Sequence, residues 1–137
     1  MGLFLTTGFV TVHDPDLALT FYRDTLGLEV RNDVPNGEYR WITVGAPGQP
    51  GVSLVLSNYI NGSPADSEAL AAMMAKGALN AAHFQADDLD ATFAQVQAAG
   101  AEIVQEPTDQ PWGARDFAVR DPSGNLVRID QAPKATA

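Results

Sequence analysis

The chain repeats itself, and that constrains its fold more than any other feature. Thr7 and Asp14 in the first half correspond to Ala81 and Asp88 in the second, and Gly27 and Glu29 correspond to Gly100 and Glu102, at an offset that slips by one residue near Pro15. Each half has the same grammar: a strand, an acidic cap, a helix, a terminating glycine and three further strands. With 137 residues in all, each half is too small to bury an adequate core alone, so the two are expected to pack together as one domain. The predicted fold is α+β: two βαβββ modules with pseudo-twofold symmetry forming a cupped mixed sheet. Module one covers about residues 3–60, a connecting helix about 64–77, module two about 80–131, and residues 132–137 form a tail.

Local signals set the elements. Residues 3–12 are rich in β-branched and aromatic side chains and stop at His13-Asp14-Pro15, an acidic cap followed by proline. Leu17, Phe21 and Leu28, with Ala18 and Tyr22, follow helical spacing over residues 16–26, and Gly27 ends the helix. Residues 29–32, 39–44 and 52–57 read as strands, separated by Pro35-Asn36-Gly37 and by a Pro/Gly stretch at 47–51. In the second half the strands are predicted at 81–86, 102–105, 114–120 and 126–130, with a helix at 89–98 and a loop at 107–113.

Strand alternation then divides the faces. Val10 and Val12 point to the helix, leaving Thr7, Phe9 and Thr11 on the other side; Leu54 and Leu56 leave Ser53, Val55 and Ser57. In the second half Ala82, Phe84 and Ala86 leave Ala81, His83 and Gln85, while Val127 and Ile129 leave Leu126, Arg128 and Asp130. That second face is wetter than a core needs.

Charge and composition exclude several functions. Eight Lys and Arg stand against 17 Asp and Glu, a net charge of -9, so the protein's field repels phosphate backbones and anionic lipid. Neither nucleic acid nor a membrane is an expected partner, and a cationic compound is better matched. Cysteine is absent, which removes disulfides, thiolate nucleophiles and Cys-containing zinc sites. The N-terminal residues lack the basic start and apolar run of a signal peptide, and no segment has the ~18–20 apolar residues that span a bilayer; a cytoplasmic protein is expected. No Gly-rich phosphate loop, nucleophile elbow or HExxH pattern occurs.

Three segments carry a resemblance. They are residues 10–28, containing Phe21-Tyr22-Arg23-Asp24 and Leu26-Gly27-Leu28; Ala86-Asp87-Asp88-Leu89; and residues 117–125, which end in Asp121-Pro122-Ser123-Gly124-Asn125. On these the chain resembles the vicinal oxygen chelate superfamily, which includes glyoxalase I, extradiol dioxygenases, methylmalonyl-CoA epimerase and the bleomycin resistance proteins. Residues 110–125 look most like the antibiotic-binding branch. The metal enzymes of that superfamily place His, Glu or Gln at four strand positions, which fall here on Thr7, Val55, Ala81 and Arg128. Val and Ala donate nothing, a threonine hydroxyl is a poor ligand, and a guanidinium opposes a cation. The resemblance therefore implies a metal-free binding cup with no cofactor, in a homodimer.

Several residues carry two readings. His83 is either a base or ligand-gripping donor, or a hydrogen-bonded sheet histidine. Arg128 either anchors an anionic group or pairs with Asp130 or an acid on a neighbouring strand. Trp112 either stacks a ligand or pins its loop. Trp41 and Tyr39 share a strand face and line the cup, an interface or the core, whereas Tyr59 with Met73-Met74 makes an adaptable wall or packs inside. His13 belongs to its turn, as does the 121–125 segment. The candidate ligand-binding set is Thr7, Phe9, Trp41, Tyr59, His83, Trp112 and Arg128, for a small molecule of cationic or aromatic character. The alternative is a metal-independent isomerase or lyase, with His83 moving a proton and Arg128 holding an anion.

Overall fold

The computed structural model describes residues 2–133. Residues 134–137 of the expected tail lie outside the described residues. The chain divides into two compact units, Met1–Ala72 and Met73–Ala137.

The first unit is built on strands β1 (Thr7–Thr11), β2 (Glu29–Asn36), β3 (Tyr39–Gly45) and β4 (Ser53–Ser57), ordered β1-β4-β3-β2. β1 runs parallel to β4, and the other pairs are antiparallel. The second unit repeats this with β5 (Asn80–Ala86), β6 (Glu102–Asp109), β7 (Arg115–Arg120) and β8 (Leu126–Gln131), ordered β5-β8-β7-β6 with only β5 and β8 parallel. The repeat in the sequence is thus a repeat of topology, and each sheet is mixed.

Helix α1 (Pro15–Leu19) starts where the acidic cap places it. Asp14 Oδ1 accepts from the Asp16 and Leu17 amides at 3.0 and 3.2 Å, and Pro15 fills a position whose amide would have no partner. The helix does not continue in α form to residue 26 as expected. It widens into a π-helical turn at Thr20–Thr25, closed by the Leu26 amide on the Phe21 carbonyl at 2.9 Å. Ala18, Phe21 and Tyr22 are buried, with the two rings edge to face. Leu17 does not join them: one step round the helix from Ala18, it is exposed.

In the second unit α3 (Leu89–Ala98) is capped by Asp88, whose Oδ1 accepts from Ala91 N at 3.1 Å, and by Gln131, whose Oε1 accepts from Leu89 N at 2.9 Å. Between the modules α2 (Pro64–Ala75) buries Met74 and leaves Met73 exposed. No helix among the described residues is long and apolar enough to cross a membrane.

Of the side chains that alternation assigned to the helix side, Val10, Val12, Leu56, Val127 and Ile129 are buried, whereas Leu54, Ala82, Phe84 and Ala86 are only half-buried; Ile42 and Val44 in one unit and Leu89, Val96, Phe117 and Val119 in the other complete the cores. Two strands run longer than expected. β2 continues through Pro35 to Asn36, because Gly37-Glu38 makes a two-residue hairpin with φ 64° at Gly37. β6 reaches Asp109, so the expected loop at 107–113 shrinks to a turn closed by Gln110 N on Ala114 O at 2.7 Å. The 121–125 segment is the structural turn expected. Asp121 Oδ1 accepts from the Ser123 and Asn125 amides, and a Cβ at Gly124 would lie 2.1 Å from the Met74 carbonyl oxygen.

Candidate functional site

The face of the first sheet opposite α1 carries aromatic side chains. Phe9 on β1 pairs in register with Val55 on β4, and Trp41 on β3 pairs with Ser57. Since β4 lies between β1 and β3, the rings of Phe9 and Trp41 meet across it, edge to face with centroids 5.6 Å apart. This covered central strand departs from expectation: Val55 and Ser57, on the face that parity gave to the lining of the cup, are buried. A strand flanked by two rings keeps neither side open.

Beyond Trp41 the same face continues through Tyr39 and Tyr59, whose rings stand 5.2 Å apart at 89°. Tyr59 lies past the end of β4 and has no ladder of its own. The side chain of Asn58 supplies one: its Oδ1 accepts from Arg40 N at 2.9 Å and its Nδ2 donates to Glu38 O at 3.0 Å, while Ser57 Oγ accepts from Tyr59 N at 3.1 Å. Asn58 thus extends the β3–β4 edge by one residue and sets Tyr59 beside Tyr39. Its role was not foreseen, because an Asn after a strand reads as an ordinary stop.

These side chains bound a hollow of about 510 Å³, completed by Asn32, Val34 and Asn36 on β2 and by Ser57. That volume is within the range of small-molecule sites, and the aromatic lining with a few polar groups is their usual chemistry. Trp41, Tyr39 and Tyr59 stay 42%, 40% and 52% exposed, so the core reading of Trp41, Tyr39 and Tyr59 is set aside in favour of an accessible surface. Phe9 is 65% exposed.

The hollow's electrostatics are decided by Arg40, the one charged lining residue among the described residues. The guanidinium is spent elsewhere: Nε and Nη2 donate to the two carboxylate oxygens of Asp33 at 2.9 and 2.6 Å, and Nη1 donates to Asp16 at the start of α1. These hydrogen bonds hold Asp33 below the usual carboxylate range and raise Arg40 further. Among the described residues no carboxylate lines the hollow.

The remaining candidates fall as follows. Thr7 opens β1, with a 3.4 Å contact to Thr6 Oγ1. His83, Arg128 and Trp112 belong to the second unit. Trp112 is 71% exposed at the tip of the β6–β7 hairpin, whose shape comes from backbone bonds rather than from the indole. Arg128 is paired with an acid on a neighbouring strand: its Nη1 donates to Asp116 Oδ2 at 3.2 Å and lies 3.4 Å from Gln105 Oε1. Asp116, buried, also accepts from Gln105 at 2.8 Å and Gln110 at 2.9 Å. Burial alone would raise Asp116, but the three donors outweigh it and leave its carboxyl below the ordinary value. His83 is largely exposed, its Nε2 3.3 Å from Asp130 Oδ1, a buried oxygen without a well-formed hydrogen bond.

Thr7, Val55, Ala81 and Arg128, the four positions the resemblance matches to metal ligands, do not make a donor set. Val55 is buried and apolar, Ala81 has no donor, and the Arg128 guanidinium is ion-paired. These residues do not fit a divalent ion.

The family model of the Glyoxalase/Bleomycin resistance protein/Dioxygenase superfamily matches residues 4–129. The chain belongs to this superfamily. The uncharacterized protein YurT of Bacillus subtilis (strain 168) is 36% identical over 124 residues, 89% of this chain and 94% of its own. The crystal structure of UcmS2 superposes with a TM-score of 0.85 at 32% identity, covering 95% of this chain and 98% of that one. TnmS3, an antibiotic binding protein from Streptomyces sp. CB03234, gives a TM-score of 0.73 at 29% identity over 96% and 97%. The two-module α+β fold of this chain is therefore the glyoxalase/bleomycin resistance fold.

Proposed function

We propose that the chain is a metal-free small-molecule binding protein that holds a flat aromatic compound in the hollow of its first sheet and releases it unchanged. One observation carries this reading: Trp41, Tyr39 and Tyr59 stand exposed around a hollow of about 510 Å³ whose single charged residue is neutralised by two carboxylates. Exposed rings held edge to face keep their geometry for stacking at little ordering cost. The likeness to TnmS3 supports an antibiotic as the class of compound. A carboxylate-free lining favours neutral aromatics over the cations suggested by net charge; the acidic surface then acts on encounter rate rather than on fit. The functional form is a homodimer in the cytoplasm, which light scattering and cell fractionation test.

Titration with 2-naphthol, a fused-ring probe, tests the binding reading. One probe binds per hollow, Trp41→Ala weakens binding about tenfold or more, consistent with losing ~1.4 kcal/mol or more of stacking and contact, and chromatography recovers the probe unaltered. Unchanged affinity in Trp41→Ala contradicts it.

The His83–Asp130 contact favours a second reading, a metal-independent proton-transfer enzyme. Its anion anchor is weak, because Arg128 is already engaged by Asp116. A compound chemically altered by the protein, with turnover lost in His83→Ala, would establish it.

A further inference from the structure

The chain contains two Asn-Gly dipeptides, Asn36-Gly37 and Asn61-Gly62, and the structure treats them differently. An Asn followed by Gly is open to an internal reaction, because no side chain on the glycine shields its amide nitrogen from the asparagine carboxamide. Whether the reaction proceeds depends on that nitrogen being free and able to lose its proton.

At Gly37 both conditions are met. The residue is the first of the two central positions of the β2–β3 hairpin, with φ 64° and nothing within 4 Å of where a Cβ would stand. The positive φ followed by an ordinary residue marks a type II′ turn, in which the ladder bonds pass between Asn36 and Tyr39 and leave the Gly37 amide unpaired. Among the described residues neither that amide nor the Asn36 carboxamide has a hydrogen-bond partner. At Gly62 neither condition is met. Its amide donates to Ile60 O at 3.1 Å, and a Cβ there would lie 2.8 Å from Asp66 Oδ2. A hydrogen-bonded amide beside a carboxylate resists deprotonation, since the anion would lose its acceptor bond and face a like charge.

We propose that Asn36 is a self-modification site, converted in time to aspartate and isoaspartate, while Asn61 is protected. The Gly37 amide nitrogen gives its proton to solvent base and attacks Asn36 Cγ. The new C–N bond closes a five-membered succinimide, and the carboxamide nitrogen leaves as ammonia. Water then opens the ring at either carbonyl, giving aspartate or isoaspartate; one water is consumed and one ammonia released. Asn36 lines the hollow, so the product places a carboxylate where the lining has none. Isoaspartate also lengthens the chain at the end of β2, beside its register partner Tyr39.

The test ages the purified full chain in mildly alkaline buffer, then digests it and follows isoaspartate by enzymatic methyl labelling and by fragment mass. The expected result is label in the fragment carrying residue 36 several-fold sooner than in the fragment carrying residue 61. Asn36→Gln, an exposed change that leaves circular dichroism unaltered, removes it because the longer side chain closes a ring less readily. Equal rates at the two dipeptides, or no label at residue 36, overturns the proposal.

Discussion

Phe9 and Trp41 meet edge to face across β4, their centroids 5.6 Å apart. The contact fixes the indole from the side, leaving 42% of Trp41 exposed towards the hollow. Phe9 itself is not among the residues that line the hollow. Phe9→Ala is therefore expected to weaken 2-naphthol binding roughly two- to tenfold, the range of an aromatic pair worth ~0.5–1.5 kcal/mol. The urea stability should fall by no more than the ~0.5–1.5 kcal/mol of the pair, because Phe9 is otherwise mostly exposed. Calorimetric titration beside urea melts separates the two effects.

Asn58 bridges Glu38 O and Arg40 N, and its removal acts on both stability and site. Asn58→Ala should cost about 1–2 kcal/mol in urea unfolding, the scale of one part-buried and one exposed hydrogen bond. It should also weaken probe binding, since Tyr59 loses its anchor beside Tyr39. Asn58→Asp, which keeps the acceptor for Arg40 N and loses the donor to Glu38 O, should fall between. A loss of stability with full affinity would separate Tyr59 from the site.

Asp116 makes stability depend on acid. Its folded carboxyl titrates below the ordinary value of about 3.9, so its contribution is complete above that value and is lost as pH falls through the lower folded one. Urea stability of the native chain should drop below about pH 4. Asp116→Asn should be less stable at neutral pH by about 1–3 kcal/mol, a range discounted because Arg128 keeps one third of its side chain in solvent. The gap between the two proteins should then narrow in acid. A constant gap would place the acid response elsewhere, with Asp33, also held low by Arg40, the first alternative.

Much of the fold was legible because the repeat and strand alternation are strong, cooperative signals. Val10, Val12, Val127 and Ile129 were assigned to the core from parity alone, and the same parity left Phe9 exposed and set Trp41 and Tyr39 on one face. The misses share a cause, which is tertiary context acting on a local pattern. Helical spacing in residues 17–28 cannot reveal a π-helical turn that differs by one bond, and Leu17, placed in the core by the same spacing, is exposed one step round the helix from Ala18. Pro35 looked like a strand stop but sits in β2, near the hairpin end. Val55 obeyed parity and was still buried, because two rings from flanking strands cover it. Arg128 carried two readings that only the distance to Asp116 separates.

The donor positions give a further expectation. With Val55 and Ala81 in two of them and Arg128 ion-paired in a third, divalent zinc, nickel or manganese should leave the thermal midpoint and 2-naphthol affinity unchanged, and so should a chelator. A stoichiometric ion in protein purified without chelators, or a midpoint that rises with added metal, would contradict the metal-free account.

The central claim is that the aromatic hollow of the first sheet binds a flat aromatic compound without changing it. Calorimetric titration of 2-naphthol into the native chain and into Trp41→Ala, followed by chromatography of the recovered probe, tests it most directly. The account predicts saturable binding with one probe per hollow, a loss of about tenfold or more in the variant, and intact probe throughout. Equal affinity in the two proteins, or a probe returned as a different compound, would contradict it.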